Sequence, residues 1–420
     1  MFMKIAIWGM GVSGLSALKY LKTKTDHDVV AINQGKLESW SSKDEVLTYI
    51  NHDQCFDQDE AADLANEIEL IIISPGISPK ISALKPFKHI KKICEVEFAA
   101  QRLSQPIIAI TGTNGKTTTA TMIAKALEAS GKSVFLGGNI GVPLCELLLS
   151  EENVDIIVLE LSSFQLELMD EFRANMAIIL NITPSHMERY SDPLEYKNAK
   201  LNIVMNQQAT DLYLAPDDLQ YVKTKAIKKV FKPIEGHDFS NSKLVGEHNK
   251  LNFSVVEHVL KFCEIQNYPA VIQNLINTFA GVKYRLEFVR TFKQVDFYND
   301  AKSTNPAATI AAVKAFTGKK IILILGGKLR SHEKDIFKEL RTHTCIKQVY
   351  AIGESRLDIN RSLGKYLKVI EIERLEDVID DIKFEYTSAV LFSPGFPSFD
   401  QYQNYMARGE AFEKLVQALL

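Results

Sequence analysis

The segment Thr111-Gly112-Thr113-Asn114-Gly115-Lys116-Thr117-Thr118 lies between the apolar run Pro106-Ile107-Ile108-Ala109-Ile110 and a helical pattern that starts near Thr117. A glycine turn leading from a buried strand into a helix opens a strand, crossover helix, parallel strand unit, so it commits the chain to the α/β class. It also carries chemistry. Its backbone amides and the Lys116 ammonium suit the β- and γ-phosphates of a nucleotide, and the Thr117 hydroxyl suits magnesium. A chance Gly-Lys turn would have no reason to unite strand, Gly-Lys-Thr and helix. The usual first glycine position of such a loop is Ile110 here, and the glycine falls at Gly112.

The same grammar opens the chain. Gly9-Met10-Gly11-Val12-Ser13-Gly14 follows a strand from Lys4 to Trp8 and begins a helix reaching about Lys22, with a second strand from Val29 to Ile32. A GxGxxG turn there admits a phosphate to a helix N-terminus, and it serves equally as a tight turn with no ligand. The acid that would hold a ribose at the end of the second strand is missing, with Asn33 and Gln34 in its place. That argues against NAD and leaves another diphosphate, such as a UDP-sugar, open. The rest of the chain keeps the rhythm of strands and helices. Strands are expected at 70–73, 155–159, 176–180, 294–298, 321–325 and 390–392, with 155–159 and 176–180 side by side. Helices are expected at 192–208, 249–264, 306–316 and 401–419.

Length and composition narrow the class further. At about 150 residues per domain, 420 residues make three domains the best single expectation. Fresh runs of elements place the boundaries near Val96 and Gly281, dividing the chain into 1–96, 97–281 and 282–420. The 49 Lys and Arg against 52 Asp and Glu leave a formal charge of −3, so no general positive field recruits nucleic acid or an anionic membrane. The five scattered cysteines have no CxxC spacing, which fits a reduced compartment. The start of the chain lacks the pattern of a signal peptide, and a cytoplasmic location is expected.

Several further residues are candidates by position. Glu160 stands at the C-terminal end of one expected strand and His186 just beyond another, the edge at which open parallel sheets collect ligands. On spacing alone each reads more readily as a surface residue of a loop. Lys200, on the helix that follows, reads by itself as a solvated lysine. The run Gly246-Glu247-His248-Asn249-Lys250-Leu251-Asn252 opens a helix that Asn249 could simply cap. The polar cluster 299–305, containing Asp300, Lys302 and Thr304, is either a capped turn or the wall of a cleft.

Together these motifs resemble the Mur ligase family, the ATP-dependent amide-forming enzymes of peptidoglycan synthesis. The likeness spans the whole chain. The shortened loop 112–118 matches the family's ATP motif, and Gly137-Gly138-Asn139-Ile140-Gly141 follows it. Ser74-Pro75-Gly76, Glu160-Leu161-Ser162-Ser163-Phe164-Gln165, His186-Met187-Glu188-Arg189-Tyr190, and Ser398-Phe399-Asp400-Gln401-Tyr402 with Arg408-Gly409 are most similar to its D-glutamate-adding branch. The resemblance implies an N-terminal Rossmann-like domain for the UDP moiety, a central P-loop ATPase-like parallel sheet and a C-terminal Rossmann-like domain for the amino acid. It implies that Val12, Ser13, Asn33, Gln34, Ser74, Gly76, Asn139, Ser162 and Gln165 hold UDP-N-acetylmuramoyl-L-alanine. It assigns ATP to Gly112, Thr113, Asn114, Gly115, Lys116, Thr117, Thr118, Asn249, Asn252, Arg285 and Asp300. Thr117, Glu160 and His186 would serve Mg2+, with Lys200 carrying a carbamate, and Lys302, Thr304, Arg330, Ser398, Phe399 and Tyr405 would face D-glutamate or the acyl phosphate. The catalytic group so implied is Lys116, Glu160, His186 and Lys200; the sequence leaves the oligomeric state open, with a monomer favoured.

The chain departs from the family pattern at Asn33 and Ser185, where acids are common, at Glu188 for a frequent Asp, and at Arg330, where a lysine is usual. Other classes account for less of the sequence. A dinucleotide-dependent oxidoreductase leaves the Gly115-Lys116-Thr117 turn idle, and a non-catalytic nucleotide-binding regulator has no use for Glu160, His186 and Lys200 together. Folate-polyglutamate ligases share the ATP loop but are not expected to combine the first GxGxxG with this C-terminal motif.

Overall fold

The computed structural model describes residues 2–150, 152–186, 189–244, 246, 249–329, 337–383 and 387–419. The expected Arg330 site therefore lies outside the described residues. Among the described residues, three sheets account for the strands. The first holds β1 (Lys4–Trp8), β2 (Asp28–Asn33), β3 (Cys55–Asp57), β4 (Leu70–Ile73) and β5 (Lys91–Ile93), in the order β3-β2-β1-β4-β5. The second holds β6 (Ile107–Thr111), β7 (Val134–Gly138), β8 (Ile156–Glu160), β9 (Met176–Ile179), β10 (Leu212–Ala215) and β11 (Ile227–Val230), in the order β11-β10-β9-β6-β8-β7. Both are parallel throughout.

The third sheet holds β12 (Glu287–Phe292), β13 (Val295–Asn299), β14 (Ile321–Gly326), β15 (Ile346–Ile352), β16 (Val369–Glu371) and β17 (Ala389–Phe392), ordered β12-β13-β17-β14-β15-β16. Only its edge strand β12 runs antiparallel to its neighbour. Inner strands such as Ile107-Ile108-Ala109-Ile110 and Ile321-Ile322-Leu323-Ile324 are buried along their whole length, as strands covered by helices on both faces must be.

Two expectations need correcting. The strands at 156–160 and 176–179 share a sheet but are not neighbours, because β6 lies between them. In a doubly wound sheet the strand feeding the phosphate loop is central, and later strands add on either side of it. The last helix begins at Tyr405 rather than Gln401, where the Asn404 side chain caps it by accepting from the Ala407 amide at 2.9 Å.

The chain divides into two compact units, Met1–Ile234 with Leu251–Ile272, and Glu235–Lys250 with Gln273–Leu420. The first two sheets lie in the same unit and share one apolar core. The helix Glu95–Ala100 lies between β5, the last strand of the first sheet, and β6, the first of the second. Its Glu97 is fully buried and accepts from the backbone amides of Asp170, Glu171 and Phe172, while Glu95 accepts from the Cys145 amide. Burial pushes the Glu95 carboxyl up to about 7. Among the described residues, no helix is long and apolar enough to cross a membrane.

Candidate active site

The phosphate loop leaves β6 at Thr111. Gly112 and Gly115 adopt φ values of +156° and +84°, which only glycine takes without strain, and the helix Lys116–Ala129 starts directly after them. A second strand end braces the loop. Asn181, just past β9, accepts from the Asn114 amide at 2.9 Å and donates back to its carbonyl at 3.1 Å, while its own carbonyl accepts from the Thr113 amide. The Thr113 hydroxyl bonds Thr183 and the Tyr196 hydroxyl. Lys116 folds back over the loop, donating to the Gly112 and Thr113 carbonyls at 2.8 and 3.0 Å. Thr117 is buried at the helix start, and the Thr119 hydroxyl donates to Asn252.

Glu160 ends β8 beside this loop. Its Oε1 accepts from Asn139 at 2.8 Å, and its Oε2 is buried with no hydrogen-bond partner. Gly138 is needed here because a side chain would collide with the Glu160 carbonyl, to which the Asn139 amide also donates. His186 takes a left-handed backbone, φ 59°, and its ring lies edge-on to Phe164 with centroids 4.9 Å apart.

Lys200 overturns its solvated reading. It is 2% exposed, on the helix Pro193–Leu201, and its Nζ donates to Thr111 Oγ1 at 3.2 Å and the Gly112 carbonyl at 2.9 Å. Burial, aided by the charge of Lys116 and opposed by that of Glu160, lowers its pKa to about 7.

These residues suit a magnesium nucleotide. Among the described residues no group of three or more His, Cys, Asp and Glu forms a cage. A buried carboxylate oxygen without a partner, beside a Gly-Lys-Thr loop, is what an ion needs when it takes one or two protein oxygens and the rest from phosphates and water. Glu160, His186 and Thr117 would hold that ion, with the loop amides and Lys116 on the phosphates.

A pocket of about 350 Å³ in the same unit brings Val12, Ser13, Asn139 and Gln165 together with Pro75 and Gly141. Asn33, Gln34, Ser74 and Gly76 do not line it. Ser74 donates to the Gly9 carbonyl at 2.7 Å and secures the first glycine turn, while Gln34 and Gly76 are exposed. Ser162 and Gln165 form a reciprocal cap on the helix Ser163–Leu166, so both have a structural duty whatever they bind.

In the other unit, Asp300 is buried and its carboxylate is taken up by the chain itself. It accepts from the Ser303 and Ser393 hydroxyls, both at 2.6 Å, and from the Leu286 amide at 3.1 Å. Burial raises its pKa to about 6 against the pull of those donors. By these contacts it shapes the turn that carries Arg285. Lys302 lies 6.0 Å from the Tyr405 ring, Thr304 is half-buried, Ser398 is buried and Phe399 is 68% exposed. Asn249 bonds the Gly246 carbonyl at the start of its helix.

Sequence reasoning named no role for Tyr196, Arg189 or Arg408. Tyr196 precedes Lys200 by four residues, the spacing that puts both on one helix face. Arg408 stands on the apolar stripe of its helix with Phe412 and Val416, all three buried. Its Nη2 donates to Ala301 at 3.1 Å and Phe396 at 2.9 Å, and its Nη1 to Gly326 at 3.4 Å. It thus joins the segments that follow β13 and β17 to the end of β14.

Comparison with known proteins shows the family. Residues 110–282 match the Mur ligase middle domain. The UDP-N-acetylmuramoylalanine–D-glutamate ligase of Geotalea uraniireducens (strain Rf4) is 32% identical over 461 aligned residues, covering 99% of this chain and 97% of that protein. The chain belongs to the Mur ligase family. Among solved structures, a Mur ligase fold of the same extent is found in the UDP-N-acetylmuramate-alanine ligase MurC of Thermotoga maritima, with a TM-score of 0.57, 19% identity and 99% of both chains covered. The MurF ligase of Thermotoga maritima in complex with ADP has a TM-score of 0.55 and 17% identity, covering 92% of this chain and 89% of that one.

Proposed function

We propose that this Mur ligase adds D-glutamate to UDP-N-acetylmuramoyl-L-alanine, with ATP as the energy source, in the making of a peptidoglycan precursor. The observation that carries the reading is the grouping, at one sheet edge, of the Lys116 loop, the partnerless Glu160 oxygen and the buried Lys200. Likeness along nearly the whole chain to a ligase named for D-glutamate supports the choice of amino acid. Labour is divided among segments 1–96 for the UDP substrate, 97–281 for ATP and 282–420 for the amino acid.

A carboxylate oxygen of the alanyl group attacks the γ-phosphorus, the bond to ADP breaks, and an acyl phosphate forms. The amine of D-glutamate then attacks the acyl carbon, giving up a proton as inorganic phosphate leaves with its electron pair. Two anions must meet in the first step, and Lys116 offsets their repulsion. Magnesium, when bound, adds positive charge at the same phosphate oxygens. Lys200 is poised to carry a carbamate because burial keeps much of it neutral near pH 7, the form that reacts with carbon dioxide, and a carbamate reverses its charge. Lys302, Thr304, Arg330, Ser398, Phe399 and Tyr405 are the amino-acid side of the proposal.

Phosphate release measured with UDP-N-acetylmuramoyl-L-alanine and a panel of amino acids tests the reading. D-Glutamate should stimulate release above every other member. Release without that preference, or better turnover with L-lysine, overturns it.

A further inference from the structure

The segment after β4, which contains Ser74 and Gly76, and the turn at His186 come from different sheets of the same unit. One side chain joins them. Arg189 donates from Nη1 to the Pro75 carbonyl at 2.9 Å and from Nη2 to the Ile77 carbonyl at 3.1 Å, the two carbonyls that flank Gly76. Its Nη2 also meets the Glu167 carboxylate, and its guanidinium lies 4.1 Å from the centre of the Phe164 ring. The backbone amide of Arg189 donates to the His186 carbonyl at 3.0 Å, and the Phe164 ring is the one set edge-on to His186.

This arrangement forms a continuous path. From the first glycine turn it runs through the Ser74 bond to Gly9, across the carbonyls on either side of Gly76, through Arg189, and into the backbone and ring neighbour of His186. The guanidinium is nearly out of solvent, and Nε is buried with no hydrogen-bond partner. A planar fork can reach two carbonyls, a carboxylate and an aromatic face together. A lysine ammonium keeps the charge but not that geometry.

We infer that Arg189 is a positioning residue that couples the substrate segment after β4 to the placement of His186. It fixes the Ser74–Ile77 backbone in the form that receives the UDP-linked substrate, and the same contacts hold the His186 turn. The inference rests on the functional reading above and adds a residue that reading does not use.

The test compares Arg189→Lys, Arg189→Ala and Glu167→Gln with the parent. Substrate binding is followed by tryptophan fluorescence, since of the chain's two tryptophans Trp8 directly precedes Gly9 of the first glycine turn and Trp40 donates to the Gly35 carbonyl just past β2. Arg189→Lys should raise KM and Kd for UDP-N-acetylmuramoyl-L-alanine by about tenfold or more and leave KM for ATP within about twofold. Glu167→Gln, which keeps an acceptor but removes the counter-charge, should move the same constants by a smaller factor. Methylguanidinium should restore part of the activity of Arg189→Ala.

Unchanged substrate constants in Arg189→Lys overturn the inference. So does a parallel rise in both KM values with a lower melting temperature, the mark of a purely structural residue. If both Arg189 variants fail to fold, Glu167→Gln decides: the KM split supports the coupling, and parent-like constants refute it. A parent protein that releases no phosphate with the two substrates refutes the functional reading instead. Normal parent turnover with an unaltered Arg189→Lys refutes this inference alone.

Discussion

The two glycine turns follow the same plan of strand, turn and helix, yet they use glycine for different ends. In the first, glycine chiefly makes room: Gly9 also takes a φ of +96°, but a side chain there would come within 2.7 Å of Ile77 and 2.8 Å of Ser74, and one at Gly14 would collide with the Gly9 carbonyl. In the second, glycine supplies backbone angles, and the nearest atom to a side chain at Gly112 would be 3.1 Å away. The first turn carries no charged side chain of its own. The second is overlaid by Lys116 and undercut by Lys200, both bonded to the Gly112 carbonyl. One turn is therefore built for close approach, the other to present positive charge.

The largest effect expected from this contrast is at Lys116. Lys116→Ala should lower kcat/KM for ATP-dependent amide formation by at least about a hundredfold while the melting temperature holds, because the side chain leaves an open loop and no core. Activity within tenfold of the parent would break the charge half of the comparison. Lys200→Ala should lose about 10–100-fold in activity and recover part of it in acetate or formate, small carboxylates that fit the vacated space. A full rate without any added carboxylate would count against a carbamate there.

Gly14→Ala should cost about 1–3 kcal/mol in urea unfolding, since the surrounding backbone has to move. Gly11 is the counter-case, having an ordinary φ of −82° and nothing within 4 Å of an added side chain. Gly11→Ala should change stability by less than about 0.5 kcal/mol but weaken binding of the UDP-linked substrate, if a diphosphate uses that space. Equal affinity would leave the first turn a fold element only.

The pH dependence of stability completes the set. An unfolded Lys200 has an ordinary pKa of 10.5 and the folded one about 7, so the unfolded state binds more protons between those values. The burial penalty is full below pH 7 and is relieved as pH rises towards 10.5, giving a gain of about 1–2 kcal/mol from pH 6.5 to 8.5. Lys200→Met should flatten that slope in urea melts, and Gly11→Ala should leave it unchanged.

How much could be read beforehand follows from how local each signal is. The phosphate loop, the first glycine turn and most of the apolar inner strands are written in contiguous residues, although the inner strands Leu212–Ala215 and Ile346–Ile352 were not among those expected. The short edge strands Cys55–Asp57, Lys91–Ile93, Ile227–Val230 and Val369–Glu371 were not legible, because partner strands and not their own apolar runs make them strands. At the site, Glu160 and His186 could be placed from the ends of their strands. The burial of Lys200 could not, since it depends on a loop nearly ninety residues earlier curling over the lysine. Asp300 shows the reverse: the family resemblance assigned it to ATP, and the fold gives its carboxylate to Ser303 in its own turn and to Ser393, 93 residues further on.

The buried guanidinium of Arg408 has a consequence in entropy. By tying the segments at Ala301, Gly326 and Phe396 to a single rigid fork, it restricts three backbones that would otherwise sample many conformations. Each residue so fixed gives up roughly 1–2 kcal/mol of conformational freedom, and here that loss is incurred once, when the chain folds. A ligand arriving at this end of the third sheet would meet backbone already fixed at Ala301, Gly326 and Phe396, so more of its contact energy would remain as affinity. Burial lowers the pKa of Arg408 only to about 10, so the fork stays charged, and the order it imposes persists, across the whole range in which a cell operates.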